Sequence, residues 1–186
     1  MPATDRDLEV TTFSSRLGWI ALASADHVLA GLAFGYATSD TARAALRLPD
    51  GSWSAAPSWP DLAERLTAYA AGEPEDFADV AVDLSHLTPF ERRVVENCRR
   101  IPFGQTLSYG RLAEQVGSPR AARAVGNVMA GNRCPLVVPC HRVVAAGGRI
   151  GNYSAPEGRR MKLRLLEQEG GWPISKPAAA LVPANG

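Results

Sequence analysis

The chain has 186 residues, a formal net charge of +1 and three cysteines, so it can bury a hydrophobic core and has too few cysteines for a disulfide framework. The near-neutral total conceals an asymmetry, because residues 1–86 carry thirteen acidic and five basic residues and residues 87–186 carry six acidic and fifteen basic ones. A basic half favours a nucleic-acid partner, although two oppositely charged domains that dock on each other would show the same division. Thirteen of the fourteen basic residues from Arg92 to Arg164 are arginine, which suits phosphate contacts.

Export and membrane insertion are both disfavoured by the N-terminal sequence. The first ten residues, MPATDRDLEV, are acidic and lack the apolar core of a signal peptide. The apolar stretch at residues 17–37 has Asp26 and His27 near its centre, where ionisable groups are costly in lipid. Two strands joined by a turn explain it better. We therefore expect a soluble, cytoplasmic protein.

The acidic half predicts a small α/β module. Residues 9–37 indicate two or three strands, residues 38–48 a helix and residues 80–84 a further strand. Ser58-Trp59-Pro60-Asp61 opens a second helix that ends near Gly72. Because this half contains no cluster of candidate catalytic groups, we expect it to act as a scaffold.

The basic half begins with a helix whose start is clearly marked. Thr88-Pro89-Phe90-Glu91 is a capping box with proline at the first helical position. Apolar residues then recur at helical spacing and include Cys98, which we interpret as a core residue.

Two short helices follow and indicate a helix-turn-helix. The first covers about residues 108–116, and the second covers residues 119–130 after a glycine-containing turn. The second is rich in alanine and glycine, although Gly126 costs about 1 kcal/mol of helix propensity relative to alanine. Its bare surface, which carries Arg120 and Arg123, suits either a DNA groove or close helix packing, and the pattern leaves both open.

The segment NRCPLVVPCHR, at residues 132–142, is the most informative in the chain. Residues 136–138 predict a short buried strand that stops at Pro139 and holds Cys140 at the end of a rigid element. The thiolate is the reactive form of cysteine, and the basic residues that follow Cys140 would favour it. The alternative is a buried structural cysteine, which residue statistics alone favour.

His141 directly follows Cys140, and on an extended backbone their side chains point to opposite faces. A bridging water is therefore a better link between thiol and imidazole than a direct hydrogen bond. A histidine base needs an orienting acceptor, and Glu167 and Glu169 are the available carboxylates of this half, at the end of a final helix over residues 156–169.

A metal site is disfavoured by the spacing of the remaining candidate ligands. Cys134, Cys140 and His141 lack zinc-ligand spacing, and neither cysteine nor histidine follows them. We interpret Cys134 as a packing residue.

The sequence from residue 86 to 170 resembles the O6-alkylguanine-DNA alkyltransferases, also called methylated-DNA–protein-cysteine methyltransferases. The resemblance rests on four segments: TPFERRVVENCRRIPFGQTLSYGRLAEQVGSPRAARAVGNVMAGN, PLVVPCHRVV, GRIGNYS and KLRLLEQEG. It implies binding of double-stranded DNA through the minor groove, and repair of O6-alkylguanine (less uniformly of O4-alkylthymine) by transfer of the alkyl group to the protein's own cysteine. No cofactor is implied, and we expect a monomer.

The same resemblance implies roles for individual residues. Cys140 would accept the alkyl group, His141 would act as the water-mediated base, Glu169 would orient it and Asn132 would brace the active-site turn. Tyr109 would swing the 3′ phosphate and contact the flipped base.

Further roles concern the DNA and the base pocket. Arg123 would fill the gap that the flipped base leaves in the stack. The other implied DNA-binding residues are Arg120, Ala122 and Gly126, and the implied pocket residues are Met129, Pro135, Val143, Tyr153 and Ser154.

The expected fold class is α/β, with an N-terminal ribonuclease H-like sheet-and-helix module at residues 1–85. A mostly helical DNA-binding and catalytic domain with the helix-turn-helix would cover residues 86–172, and residues 173–186 would form a mobile tail. Two departures from the family concern a loop lengthened at residues 155–157 and the absence of the N-terminal cysteine pair that binds structural zinc in some relatives. We therefore expect no metal.

Three other functions compete with alkyl transfer. A non-catalytic, alkyltransferase-like lesion-binding protein would lack the cysteine. A helix-turn-helix transcription factor would read DNA sequence and would have no use for Cys140. A cysteine hydrolase would need direct contact between thiol and imidazole.

Overall fold

The structure, a computed structural model, describes residues 8–46, 53–55 and 59–170. Within these ranges the chain forms a five-stranded sheet, a two-stranded sheet and six α-helices. The tail predicted to be mobile lies outside the described residues.

Three long strands form an antiparallel meander: β1 (Leu8–Ser15), β2 (Gly18–Ala25) and β3 (Val28–Tyr36). The short strand β4 (Trp53–Ala55) runs parallel to β1, and β5 (Ala81–Val82) runs parallel to β3, so the order is β4-β1-β2-β3-β5. Residues 20–25 of the central strand are all buried, so their sequence is apolar almost throughout instead of alternating. The predicted strands are confirmed, but the strand predicted over residues 80–84 is only two residues long.

Two helices pack beside this sheet. Helix α1 (Ser39–Ala44) is capped by Thr38 and is shorter than predicted, with residues 47 and 48 of the prediction outside the described residues. Helix α2 (Pro60–Ala71) begins and ends as predicted, at a proline in its first turn and at Gly72, whose φ is +107°.

The basic half contains three helices before the cysteine. Helix α3 (Pro89–Arg99) has the predicted capping box between Thr88 and Glu91. The short strand β6 (Leu107–Ser108) leads into α4 (Tyr109–Gln115), and α5 (Ala122–Ala130) follows. Helix α5 begins three residues later than predicted, because a turn closed from Ala121 N to Ser118 O at 2.8 Å occupies the start of the predicted range.

The segment before Cys140 is a buried turn, so the prediction of a strand at residues 136–138 is wrong. Leu136 has a φ of +72°, and Val138 N donates to Cys134 O at 2.8 Å. Residues 136–138 are each at most 1% exposed. A short apolar run indicates burial without distinguishing a strand from a packed turn. Cys140 then opens a single turn of 3₁₀ helix, Cys140–Arg142.

The chain continues through β7 (Val143–Val144), which pairs in parallel with β6, and through a second 3₁₀ turn at Ala146–Gly148. The last helix, α6 (Arg159–Gln168), begins three residues later than predicted, after Gly158. Its inner face carries Met161, Leu165 and Leu166, as predicted.

A single cluster of buried apolar side chains extends through both halves, from Leu17 to Leu165, and includes the predicted core residues Cys98 and Cys134. The apolar core therefore continues across the boundary between the halves at residue 86. The division into two domains stays a prediction. No helix in the described ranges is both long and apolar enough to cross a membrane.

Candidate active site

Cys140 is 4% exposed and is held by Asn132, which follows α5. Asn132 Nδ2 donates to Cys140 Sγ at 3.1 Å and to Val138 O at 2.9 Å, and its Oδ1 accepts from Cys134 N at 3.0 Å. One amide thus ties together both ends of the buried turn and the sulfur.

The electrostatic surroundings of the thiol differ from those predicted. Burial raises the pKa of Cys140, and the Asn132 hydrogen bond, the charge of Lys162 and the nearby Tyr153 hydroxyl lower it by less. The prediction that the following basic residues favour the thiolate is wrong, because Arg142 is paired with a carboxylate and burial lowers the pKa of His141. The resting sulfur is a thiol that needs a base.

His141 is fully buried, and its two ring nitrogens differ in environment. Nε2 lies 2.9 Å from Glu169 Oε1, whereas Nδ1 has no hydrogen-bond partner among the described residues. A carboxylate at Nε2 favours the tautomer with its proton there, which leaves Nδ1 as an acceptor. The described residues show no direct hydrogen bond from the imidazole to Cys140, as predicted, although the backbone between them is a 3₁₀ turn and not extended.

Glu169, directly after α6, lies at the centre of the buried polar cluster. It accepts from Arg142 Nε at 2.9 Å and Nη2 at 3.0 Å, from His141, from the Tyr69 hydroxyl at 2.6 Å and from Gly104 N at 3.3 Å. Burial raises the pKa of Glu169, but His141 and Arg142 outweigh it and hold that pKa well below its usual range. The other candidate carboxylate, Glu167, is exposed.

Two parts of the chain far from the motif complete this cluster. The backbone approaches Glu169 at Gly104, where φ is +72° and a Cβ would lie 2.7 Å from Glu169 O. Tyr69 comes from α2, so the N-terminal half supplies one side chain to this cluster, and its role as a scaffold stays a prediction. The Tyr69 hydroxyl meets Glu169 across 100 sequence positions, and no local signal marks it.

An open cleft of about 1340 Å³ reaches Cys140. Eight residues predicted for DNA or substrate contact line it: Tyr109, Ala122, Arg123, Gly126, Met129, Cys140, Tyr153 and Ser154. Arg149 and Arg159 also line it, and sequence reasoning did not select them from the many arginines of this half. The cleft is thus lined by three arginines and by Cys140.

Three predicted residues have other positions. Pro135 lines a smaller cavity of about 60 Å³ that also reaches Cys140. Val143 does not line either cavity, because β7 directs it into the core, where it is 0% exposed. Arg120 is exposed in the turn before α5 and is not among the residues that line the cleft.

Lys162 is a further buried group near the sulfur, and the sequence patterns predicted no role for it. It is 0% exposed, and its Nζ donates to Val143 O at 2.6 Å and lies 5.7 Å from the centre of the Tyr109 ring. Burial lowers its pKa to about 8. A lysine on the apolar face of α6, next to Met161, is the signal that could have identified it.

A buried thiol beside an open cleft lined by three arginines is the arrangement expected of a DNA-binding thiol protein. The model of the 6-O-methylguanine DNA methyltransferase DNA-binding domain matches residues 89–171. A methylated-DNA–protein-cysteine methyltransferase of Mycolicibacterium paratuberculosis is 38% identical over 162 residues, which cover 87% of this chain and 93% of that protein. The chain belongs to the methylated-DNA–protein-cysteine methyltransferase family.

Other relatives agree with this assignment. The structure of Mycobacterium tuberculosis OGT in complex with DNA superposes with a TM-score of 0.71 at 36% identity, covering 87% of this chain and 92% of that one. A DNA base-flipping protein of Thermus thermophilus is 44% identical over 110 residues, which cover 58% of this chain and 70% of that protein.

Proposed function

We propose that this protein repairs alkylated DNA by moving the alkyl group of O6-alkylguanine onto Cys140, once per molecule. The observation that carries the proposal is the position of Cys140, whose sulfur is held by Asn132 where an open basic cleft ends. The His141–Glu169 pair next to it supplies a neutral base. Homology to methylated-DNA–protein-cysteine methyltransferases over most of the chain supports the same reaction.

The chemistry requires three groups in sequence. His141 takes the thiol proton through a bridging water, and the imidazolium that forms is stabilised by Glu169. The thiolate attacks the alkyl carbon, so the S–C bond forms while the C–O6 bond breaks. The electron pair leaves with the guanine oxygen, and Tyr109, which lines the cleft, neutralises the departing anion with its hydroxyl. The product is a thioether without a hydrolysable bond, so turnover stops after one event.

The DNA interface in this proposal is the pair α4 and α5 acting as a helix-turn-helix in the minor groove. The oxygen at position 6 is stacked inside the duplex, so the nucleotide must rotate out at a cost of a few kcal/mol. Ala122 and Gly126 keep the cleft side of α5 free of bulk, and Arg123 is exposed beside them to fill the vacated stack. O4-alkylthymine as a second substrate, a monomeric state, a cytoplasmic location and a ribonuclease H-like N-terminal module belong to the same proposal.

Intact mass spectrometry tests the reaction. After incubation with a duplex that contains O6-methylguanine, we expect the full-length protein to gain one methyl group, located on Cys140, and each molecule to repair one lesion. Cys140→Ser should gain none while it still binds the duplex.

A second candidate function is lesion binding without chemistry, which the similarity to a DNA base-flipping protein favours. Cys140 at the end of the cleft argues against it. Tight binding of the lesion with unchanged mass of the wild-type protein would establish this alternative, and many lesions repaired per molecule would contradict both functions.

A further inference from the structure

Tyr69 is held rigidly at the buried end of the cluster, although it belongs to the acidic half of the chain. It is 1% exposed, and its ring packs edge-on against Phe77 and Phe103, with ring centres 5.7 and 6.3 Å away. Its backbone oxygen accepts a hydrogen bond from Gln168 Nε2 at 2.7 Å. The backbone of Tyr69 is therefore held by α6, and its ring is held by aromatic packing.

The hydroxyl of Tyr69 contacts two members of the cluster at once. It donates to Glu169 Oε1 at 2.6 Å, and its oxygen lies 3.3 Å from His141 Nε2. Burial beside Glu169 raises the pKa of Tyr69 well above its usual value, so the hydroxyl keeps its proton and remains a donor to the carboxylate. Its lone pairs are then available to the Nε2 proton of His141.

Two oxygens near Nε2, one from Glu169 and one from Tyr69, can accept a hydrogen bond from a proton on that nitrogen. Their combined effect is to disfavour the tautomer that carries its proton on Nδ1. The other charged neighbours of His141, Arg142 and Lys162, oppose protonation of the ring and lower its pKa.

We propose that Tyr69 is a positioning residue for the alkyl transfer proposed above, because its hydroxyl and Glu169 together hold His141 in the tautomer whose free Nδ1 can take the thiol proton. The acidic half of the chain thereby contributes a functional group to the reaction. This inference rests on the proposed function.

The variant Tyr69→Phe tests the role, because it removes the hydroxyl and keeps the ring. We expect single-turnover transfer from an O6-methylguanine duplex to be roughly tenfold slower at pH 7, since a hydrogen bond to a charged group is lost. Glu169 would lose its shortest donor and attract the imidazolium more strongly, so the pKa of His141 should rise. The acid limb of the pH–rate profile should then move to higher pH.

Phe77→Leu is the matched control, because it removes an aromatic neighbour of Tyr69 and leaves the hydroxyl in place. It should lower the thermal midpoint and leave the pH–rate profile unchanged. The single variant Cys140→Ser and the double variant with Tyr69→Phe should bind the duplex with equal affinity. An unchanged rate in Tyr69→Phe, or a slower rate with the same profile as Phe77→Leu, would overturn the inference.

A second measurement needs no variant. In the wild-type protein labelled with ¹⁵N-histidine, we expect the ring nitrogens of His141 to show the Nε2-protonated tautomer at pH 7.5, and an Nδ1-protonated ring would overturn the inference even if Tyr69→Phe does not fold. Failure of the proposed function is a distinct result, since wild-type protein would then gain no methyl group.

Discussion

The reactivity of Cys140 depends on a balance between burial and three neighbours. Burial favours the neutral thiol, whereas Asn132, Lys162 and Tyr153 favour the thiolate. Lys162 is the only one of these three that carries a formal charge. With a pKa of about 8 it is charged at neutral pH, close to the point at which it loses its proton.

Replacing Lys162 by methionine tests this balance. Loss of the positive charge should raise the pKa of Cys140, so alkylation by iodoacetamide at pH 7.5 should slow by roughly three- to tenfold and its pH dependence should move to higher pH. Arg160→Met, two residues before Lys162 on α6 and exposed, is the matched control and should react as wild type does. An unchanged rate in Lys162→Met would mean that the charge does not act on the sulfur.

Lys162→Met also tests how the buried amine affects the pH dependence of the free energy of unfolding. Lys162 has its pKa lowered from 10.5 to about 8 on folding, so between these values the unfolded chain binds more protons than the folded one. The free energy of unfolding of the wild type should therefore rise from pH 7.5 to 9.5 relative to that of Lys162→Met, as urea denaturation at the two pH values would measure. A constant difference would contradict the buried position of the amine.

At the scale of elements, α5 combines a bare surface with one exposed arginine at the cleft. Gly126 leaves room there, since a Cβ would lie no closer than 4.0 Å to the Tyr109 ring. The fold therefore does not forbid a side chain at position 126, and access of DNA to the cleft is the proposed reason for glycine there. Arg123 and Arg120 are both exposed, but only Arg123 is among the cleft-lining residues.

Arg123→Ala should separate base extrusion from chemistry. If Arg123 fills the vacated stack, transfer from duplex should slow by at least about tenfold, because extrusion costs a few kcal/mol. Transfer from free O6-benzylguanine, which needs no extrusion, should stay within about twofold. Arg120→Ala is the control, for which we expect weaker, more salt-sensitive binding and a normal rate at saturation. Equal slowing of Arg123→Ala on both substrates would contradict the role.

At the scale of the molecule, the acidic and basic halves are joined by hydrogen bonds as well as by a common apolar core. Leu32 N of β3 donates to Arg133 O at 2.8 Å, and Arg99 Nη2 of α3 donates to Val80 O at 2.6 Å. Together with the Tyr69–Glu169 contact, these bonds make the active cluster depend on the acidic half. The opposite charges of the halves are therefore compatible with both sequence-based explanations, a basic DNA face and docking between halves.

A core mutation far from the sulfur should therefore affect the whole chain. Leu22, in β2, is 0% exposed, and Leu22→Ala should lower the free energy of unfolding by about 2–5 kcal/mol. Far-UV circular dichroism and protection from iodoacetamide of Cys98, which is 0% exposed in the basic half, should lose signal at the same urea concentration, since one core unfolds cooperatively. Loss of dichroism while Cys98 stays protected would show two independent units.

Much of this protein was predictable because its signals are local. The capping box at Thr88 and the proline start of α2 depend on neighbouring residues. The motif around Cys140 and the ending that contains Glu169 identified the family, and with it the cysteine, histidine and glutamate that meet in the structure.

The remaining features were decided by tertiary packing. Three of these features depend on partners distant in sequence. They are the turn instead of a strand at residues 136–138, the inward direction of Val143, and the pairing of Arg142 with Glu169. Tyr69 is the clearest case, since its hydroxyl meets Glu169 across 100 positions and its neighbours in the chain predict only an amphipathic helix. Periodicity specifies which face of an element is buried, but the atoms that meet in the interior are determined only when those faces pack together.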